Sequence, residues 1–177
     1  MINILIILPN QIFNKKYIPK NIKNIILWEH PQYFTKYNFN MKKLILHRAT
    51  MKYYENYLNK DYKIKFINYN KKYKIPKTSK TSKYYIFDPI DKIKFKNKIE
   101  ILESPNFLLT RDLMEEYRKK TKSFLFNNFY NWNKNKLDIL PNVKSQDKFN
   151  RKRLPKNIDI PDIPPNKSDE KYIKDAI

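Results

Sequence analysis

Residues 2–8 of the chain, Ile-Asn-Ile-Leu-Ile-Ile-Leu, form a short apolar run that ends at Pro9. An uninterrupted apolar run of this length is typical of a parallel strand that is covered on both faces. The run has no basic start and no small-residue cleavage site, so it does not resemble a signal peptide. We therefore place the first strand of a buried sheet here.

Further strands and helices alternate after this first strand. Short apolar runs predict strands at residues 25–28, 64–67, 84–87 and 99–102. Apolar spacing predicts helices over residues 40–58, 110–120 and 123–134, with another starting near 169. This alternation indicates an α/β fold, a Rossmann-like, open, mostly parallel five-stranded sheet flanked by helices.

The composition changes after Leu140. Five prolines punctuate a charged stretch: Pro141, Pro155, Pro161, Pro164 and Pro165. Proline fixes φ and removes a backbone donor, so we expect an extended C-terminal tail. The sequence thus predicts an α/β domain over residues 1–140 and a Pro-rich linker over 141–177 that leads into a truncated helix.

The chain of 177 residues contains neither cysteine nor glycine. Without cysteine it cannot form disulfides, thiolate zinc sites or iron–sulfur ligation, and without glycine it lacks the usual phosphate-binding loops. Only His30 and His47 supply imidazole, and we expect His47 to be a packed core residue. The sequence therefore predicts no metal site and no catalytic residues. No apolar run approaches the roughly 20 residues of a membrane helix, so we expect a soluble, intracellular protein without a membrane partner.

The net charge of +21 results from 38 basic and 17 acidic residues. It is spread along a chain rich in residues with AT-rich codons, which favours compositional bias as its main cause. One local concentration without acids, in residues 70–83, consists of Lys71, Lys72, Lys74, Lys77, Lys80 and Lys83. Two interpretations stay open: a solvated loop, or an arm that contacts the phosphates of nucleic acid.

The predicted helix at 40–58, with Asn40 as its N-cap, has two apolar faces. One face carries Leu44, Met51, Tyr54 and Leu58, and the other carries Leu46, Ala49, Tyr53 and Tyr57. A second apolar face implies a second covering layer, either another part of this chain or a partner. The candidate partner-docking residues are Tyr53, Tyr57, Arg151 and Arg153.

Asn10, Gln11 and Glu29 follow the first two predicted strands. Ligands of open α/β sheets bind at the carboxyl ends of the strands, and amide and carboxylate groups there can hydrogen-bond a polar heterocycle. The alternative is that Asn10 and Gln11 cap a turn while Glu29 pairs with a lysine. We take these three residues as candidate cofactor-binding residues.

Six segments, in order, resemble the N-terminal domain of photolyase-related proteins, the prokaryotic (6-4) photolyase and cryptochrome family of the iron–sulfur type. They are ILPNQIF at 7–13, LWEHPQYF at 27–34, KKLILHRATMKYY at 42–54, ESPNFLL at 103–109, FNNFYNW at 126–132 and DKFNRKRLP at 147–155. Asn10 stands where that family usually has Asp.

The resemblance implies an antenna domain that holds a ribityl lumazine or flavin-type chromophore near Asn10, Gln11 and Glu29. In that family the FAD, the iron–sulfur cluster and the lesion pocket belong to a helical C-terminal domain, and the resemblance implies that this catalytic half is absent here. The resemblance thus implies an antenna-type half of a photolyase in light-dependent DNA repair. Such a half is not an enzyme on its own and docks onto a separately encoded FAD-binding domain. The alternatives are a non-specific nucleic-acid-binding protein and an inactive remnant.

Overall fold

The computed structural model of the protein describes residues 1–91, 93–122, 125–143, 157–159 and 170–176. The chain divides into two compact units, Met1–Pro105 with Asn166–Ile177, and Asn106–Pro165. Arg151, Arg153 and most of the predicted Pro-rich tail lie outside the described residues. The predicted division at residue 140 and the extended tail therefore stay predictions.

All predicted strands and helices are found among the described residues. The strands are β1 (Ile2–Ile7), β2 (Asn24–Trp28), β3 (Lys63–Ile67), β4 (Ser82–Phe87) and β5 (Glu100–Leu102). The helices are α1 (Met41–Leu58), α2 (Arg111–Lys120), α3 (Phe126–Leu137) and α4 (Glu170–Ala176). The bounds differ little from the predicted ones because the apolar runs and caps that define them are local signals.

The five strands form one parallel sheet in the order β3-β2-β1-β4-β5. Ile6 in the middle of β1 lies opposite Ile26 on one side and Ile86 on the other. Leu5, Ile6, Ile7 and Leu8 are all completely buried, as the continuous apolar run predicted. The predicted α/β fold class is confirmed. The strand order reverses beside β1, so a ligand crevice is expected between the carboxyl ends of β1 and β4.

Different parts of the chain cover the two faces of the sheet. On one face Leu5 and Leu27 pack with Met51 and Leu58 of α1. On the other face the covering side chains come from loops: Tyr33, Phe34, Tyr73, Ile75, Ile93 and Phe95. The second apolar layer in this unit is thus built largely from the loop segments after β2, β3 and β4.

Helix α1 begins at the predicted cap, since the Asn40 Oδ1 atom accepts a 2.9 Å hydrogen bond from the Lys42 N–H group. Met51 and Leu58 on its first apolar face are completely buried. On its second face Tyr53 contacts Tyr172 of α4, with ring centroids 5.3 Å apart. Part of the second covering layer is therefore the C-terminal helix of this chain.

In the second unit, Tyr117 of α2 packs against Phe129 and Trp132 of α3, with both ring-centroid distances 5.1 Å. Helix α3 is followed by its C-cap Asp138, which has a left-handed φ of 51°. Leu140, two residues later, also has a left-handed φ, of 46°. Glycine usually occupies such positions because it has no Cβ atom to clash. A chain without glycine takes these two turns with a carboxylate residue and a leucine.

None of the described helices is both long enough and apolar enough to cross a membrane. Across the same described residues, no three His, Asp or Glu side chains come together in an arrangement that holds a metal ion.

A candidate ligand-binding cleft at the carboxyl edge of the sheet

Gln11 lies where β1 and β4 separate. Its side chain is buried, with only 2% of its surface exposed. The Gln11 Nε2 atom donates a 2.7 Å hydrogen bond to the Phe87 carbonyl, and its Oε1 atom accepts a 3.2 Å hydrogen bond from the Leu8 N–H group. The amide therefore joins the ends of two neighbouring strands, and a ligand-binding role for Gln11 stays a prediction.

Glu29 follows β2 directly and is completely buried. Its Oε2 atom accepts a 3.2 Å hydrogen bond from the Tyr69 N–H group, and its Oε1 atom lies 3.4 Å from Arg48 Nε without a well-aligned hydrogen bond. Burial raises the pKa of the Glu29 carboxyl, and the Tyr69 hydrogen bond and the charge of Arg48 oppose that rise. Glu29 thus ties β2 to the loop after β3 and to α1, with Arg48 in place of the lysine that the sequence suggested.

Asn10 lines a cleft of about 380 Å³, called the edge cleft below, at the carboxyl edge of the sheet. The lining comes from the ends of β1 and β4, the 31–39 loop and the start of α1. Its members are Asn10, Gln32, Tyr33, Lys36, Tyr37, Phe39, Lys43, His47, Ile90 and Asp91. Of the three predicted cofactor-binding residues, the structure places Asn10 alone in this lining, with Gln11 and Glu29 packed inside the fold.

Two side-chain atoms of the edge cleft are buried without a hydrogen-bond partner, Asn10 Oδ1 and His47 Nε2. The Tyr33 hydroxyl contacts the side chains of Asp91 and Asn10. An unsatisfied buried polar group costs about 1–3 kcal/mol, so native proteins usually pair such groups. Two of them on the lining of one cavity leave hydrogen-bonding positions that a polar ligand could fill. Aromatic walls from Tyr37 and Phe39 suit a planar ring, as in most small-molecule sites.

The electrostatics of the edge cleft favour a neutral or weakly anionic ligand. Burial raises the pKa of the Tyr33 hydroxyl, and the neighbouring Asp91 carboxylate raises it further. Burial and the charge of Lys43 lower the pKa of His47. Both side chains are therefore neutral at pH 7, each with a hydrogen-bonding atom to offer, while Lys36 and Lys43 supply positive charge at the rim.

Tyr33 and Asp91 were not among the predicted site residues, and His47 was expected to be a packed core residue. His47 instead lies half-buried at the edge cleft, where its ring is 6.2 Å from that of Tyr33. Tyr33 belongs to a single 3-10 turn at Pro31–Tyr33, and Asp91 lies in the loop after β4. Such loops carry no periodic pattern. The one available signal was that each residue follows the carboxyl end of a predicted strand.

The lysine-rich stretch at 70–83 runs over the sheet face that loops cover. Ile75 in its middle is buried, and Thr78 Oγ1 donates a 3.0 Å hydrogen bond to the Lys98 carbonyl. Lys83 Nζ lies 3.1 Å from Glu100 Oε1. The remaining lysines of the stretch are exposed on the surface: Lys71, Lys72, Lys74, Lys77 and Lys80.

Of the candidate docking residues, Tyr53 is half exposed beside α4. Tyr57 is partly buried and stacks against Tyr54, with ring centroids 5.9 Å apart. Contact of either residue with a partner chain stays a prediction.

The sequence is similar to a described protein family and to a viral protein. Residues 5–177 match the family described as "Deoxyribodipyrimidine photo-lyase-related protein". The chain is also similar to "Uncharacterized protein R852" of Acanthamoeba polyphaga mimivirus, with 31% identity over 194 aligned residues. That alignment covers 90% of this chain and 99% of the relative.

Proposed function

Because the chain belongs to the deoxyribodipyrimidine photo-lyase-related protein family, we propose that it is an antenna-type domain that binds a chromophore in the edge cleft. The observation that carries this proposal is the pair of unpartnered buried atoms, Asn10 Oδ1 and His47 Nε2, on the lining of one cavity. The domain then takes part in light-dependent DNA repair as the non-catalytic half of a photolyase-like system.

A ribityl lumazine suits the edge cleft on size and chemistry. The volume of about 380 Å³ lies in the range of small-molecule sites. Tyr37 and Phe39 supply aromatic surface for a bicyclic ring. Asn10, Tyr33 and His47 supply hydrogen-bonding atoms for ring carbonyls and ribityl hydroxyls. A flavin-type chromophore has the same ring and polyol chemistry and is the alternative ligand.

In an antenna domain, the residues that hold the chromophore fix its orientation and exclude water from it. The chromophore supplies the light absorption when it is bound. Neutral Tyr33 and His47 side chains hydrogen-bond the ligand without transferring a proton. Asp91, which lies beside Tyr33, keeps the hydroxyl in its protonated donor form because the carboxylate charge opposes deprotonation.

Retention of ligand tests this proposal. The protein is incubated with excess ribityl lumazine or riboflavin and passed through a desalting column, and the absorption spectrum of the protein fraction is recorded. We expect about one chromophore per chain to co-elute with the protein. Protein that elutes without either chromophore would count against the antenna role.

We further propose that a separately encoded FAD-binding domain is the partner of this chain. Support comes from the family and from the exposed apolar side chains on α1, where Leu46 is 62% and Tyr53 is 50% exposed. Tagged protein is co-expressed with the reading frame that encodes such a domain, and co-purification is measured. A Leu46→Lys variant should reduce recovery of the partner, whereas unchanged recovery would reject α1 as the docking face.

Contact with nucleic acid is a second candidate function, favoured by the five exposed lysines of the 70–83 stretch. Lysine side chains neutralise phosphates without reading sequence, so binding must weaken steeply as salt rises. Replacing all six lysines of the stretch by Gln should weaken binding of a DNA duplex at least tenfold in a filter-binding assay. If affinity stays the same, this stretch is not the binding arm.

A further inference from the structure

A second cleft, called the basic cleft, lies on the sheet face that loops cover and has a volume of about 340 Å³. Its lining includes Trp28 at the end of β2, His30 just after it, Tyr73 and Lys74 from one loop, and Lys94 and Lys96 from another. Nothing in the proposed chromophore function involves this cleft, so its role is a separate question.

Two extended segments build the wall of the basic cleft. Side chains alternate along each segment, so Ile75 is buried while Lys74 is exposed, and Phe95 is partly buried between two exposed lysines. The Asn97 Nδ2 atom donates a hydrogen bond to the Ile75 carbonyl, which joins the two segments. The backbone positions of the lysines are thus fixed along one rim, because their neighbours are anchored in the core.

The charge of the basic cleft has one sign. Lys74, Lys94 and Lys96 line it, and none of its described lining residues is an acid. Three positive charges around one concavity attract and concentrate an anion. Partly buried Tyr73 and Phe95 provide ring surface beside these charges.

Trp28 supplies a hydrogen-bond donor that the fold does not use. Its side chain is 6% exposed, and its Nε1 atom is buried without a partner. The Trp28 ring meets the rings of His30 and Tyr73 edge-on, at centroid distances of 4.4 Å and 5.2 Å. A buried N–H group without an acceptor costs free energy that a ligand oxygen can recover.

His30 offers a second donor. Its Nδ1 atom accepts a 3.2 Å hydrogen bond from the Gln32 N–H group, so the proton of the neutral ring lies on Nε2. Burial lowers the pKa of His30, which keeps the ring neutral and this tautomer fixed at pH 7.

We propose that the basic cleft binds a nucleoside phosphate, with the phosphate among Lys74, Lys94 and Lys96 and the ring against Tyr73 and Phe95. The ligand is a free nucleotide or one nucleotide of a single strand, because both present a planar ring next to a phosphate. Stacking on aromatic side chains and flexible lysine contacts bind either source without sequence preference.

Trp28 gives a direct optical test. The Trp132→Phe variant leaves Trp28 as the one indole of the chain, and its fluorescence is titrated with thymidine, thymidine monophosphate and oligo-thymidylate. We expect a saturable change with thymidine monophosphate or oligo-thymidylate, and at least tenfold weaker binding of thymidine. A response to the monophosphate identifies a free nucleotide, and a response to oligo-thymidylate alone identifies a strand. Absence of any change with both phosphates, or equal binding of thymidine, would overturn the proposal.

A matched pair of variants separates the cleft from general charge. Lys74→Gln, Lys94→Gln and Lys96→Gln together should weaken binding at least tenfold, while Lys71→Gln, Lys77→Gln and Lys80→Gln remove the same charge and should weaken it less than threefold. Equal losses in the two variants would contradict a defined site. Circular dichroism checks that both variants fold, and lumazine retention, which depends on the edge cleft, should stay unchanged in both.

Discussion

The side-chain amide of Gln11 joins the carboxyl ends of β1 and β4, because its Nε2 atom donates a 2.7 Å hydrogen bond to the carbonyl of Phe87, 76 residues away in the chain. Its Oε1 atom at the same time accepts from the Leu8 N–H group. These bonds satisfy backbone groups at the point where the strand order reverses. The edge cleft, which Asn10 lines, therefore lies beside strand ends whose backbone groups are hydrogen-bonded.

Replacing Gln11 by Ala should lower the free energy of unfolding by about 1–3 kcal/mol, since buried backbone groups of Leu8 and Phe87 lose their partners. Urea denaturation followed by circular dichroism measures the change. Gln32→Ala is the matched control, because the Gln32 side chain is partly exposed on the lining of the edge cleft, and it should cost less than about 0.5 kcal/mol. Equal effects of the two substitutions would show that Gln11 does not join the strands.

The buried Glu29 carboxylate makes the stability of the protein depend on pH. The folded-state pKa of Glu29 is raised above its ordinary value of 4.5, chiefly by burial. As pH rises, Glu29 therefore loses its proton in the unfolded state at a lower pH than in the folded state. The stability that this group contributes is complete below pH 4.5 and is lost as pH rises through the folded-state pKa.

The Glu29→Gln variant should not show that loss, because its amide stays neutral and still accepts from the Tyr69 N–H group. Unfolding free energies of variant and wild type, measured by urea denaturation from pH 4 to pH 8, give a difference curve. We expect the variant to gain stability relative to wild type across this window. A difference curve that is flat, or that falls with pH, would mean that the ion pair with Arg48 outweighs burial.

Leu140 adopts a left-handed backbone conformation with φ of 46°, and 64% of its side chain is exposed. The Cβ clash at such a position costs about 1–2 kcal/mol, while little packing is lost when the side chain is removed. Leu140→Gly should therefore stabilise the second unit by about 1 kcal/mol in thermal unfolding. Leu137→Gly, three residues earlier in α3, should instead destabilise it by about 1 kcal/mol. Destabilisation by both substitutions would contradict the left-handed turn.

Much of the fold could be predicted from local patterns. The apolar run at 2–8 predicted the central strand, and Asn40 marked the first residue before α1, because strand burial and helix capping both act over a few residues. The covering of the other sheet face was not predicted. Ile75 and Phe95 stand singly among lysines, and the sequence does not show that such isolated side chains converge on one core.

For the candidate site, the sequence predicted the positions of Asn10 and Glu29 in the sheet, whereas a ligand-binding role for them stays a prediction. Asn10 and Glu29 lie at the strand ends where the analysis put them. The partners of Gln11 and Glu29 are Phe87 and Arg48, which are distant in sequence and become neighbours only through the sheet order and the crossover helix. The unpaired atoms of Asn10 and His47 and the contact of Tyr33 with Asp91 arise only in the folded chain, so no sequence pattern predicts them.

The edge cleft as a ligand site is tested most directly by Tyr33→Phe, with stability and ribityl lumazine affinity measured on the same protein. Without ligand the variant should unfold at a free energy about 1 kcal/mol lower than wild type, because it loses the contact of the hydroxyl with Asp91 and Asn10. In a fluorescence titration it should bind the chromophore at least tenfold more weakly, while the control Tyr17→Phe changes neither quantity. A variant that binds the chromophore as tightly as wild type would contradict the account.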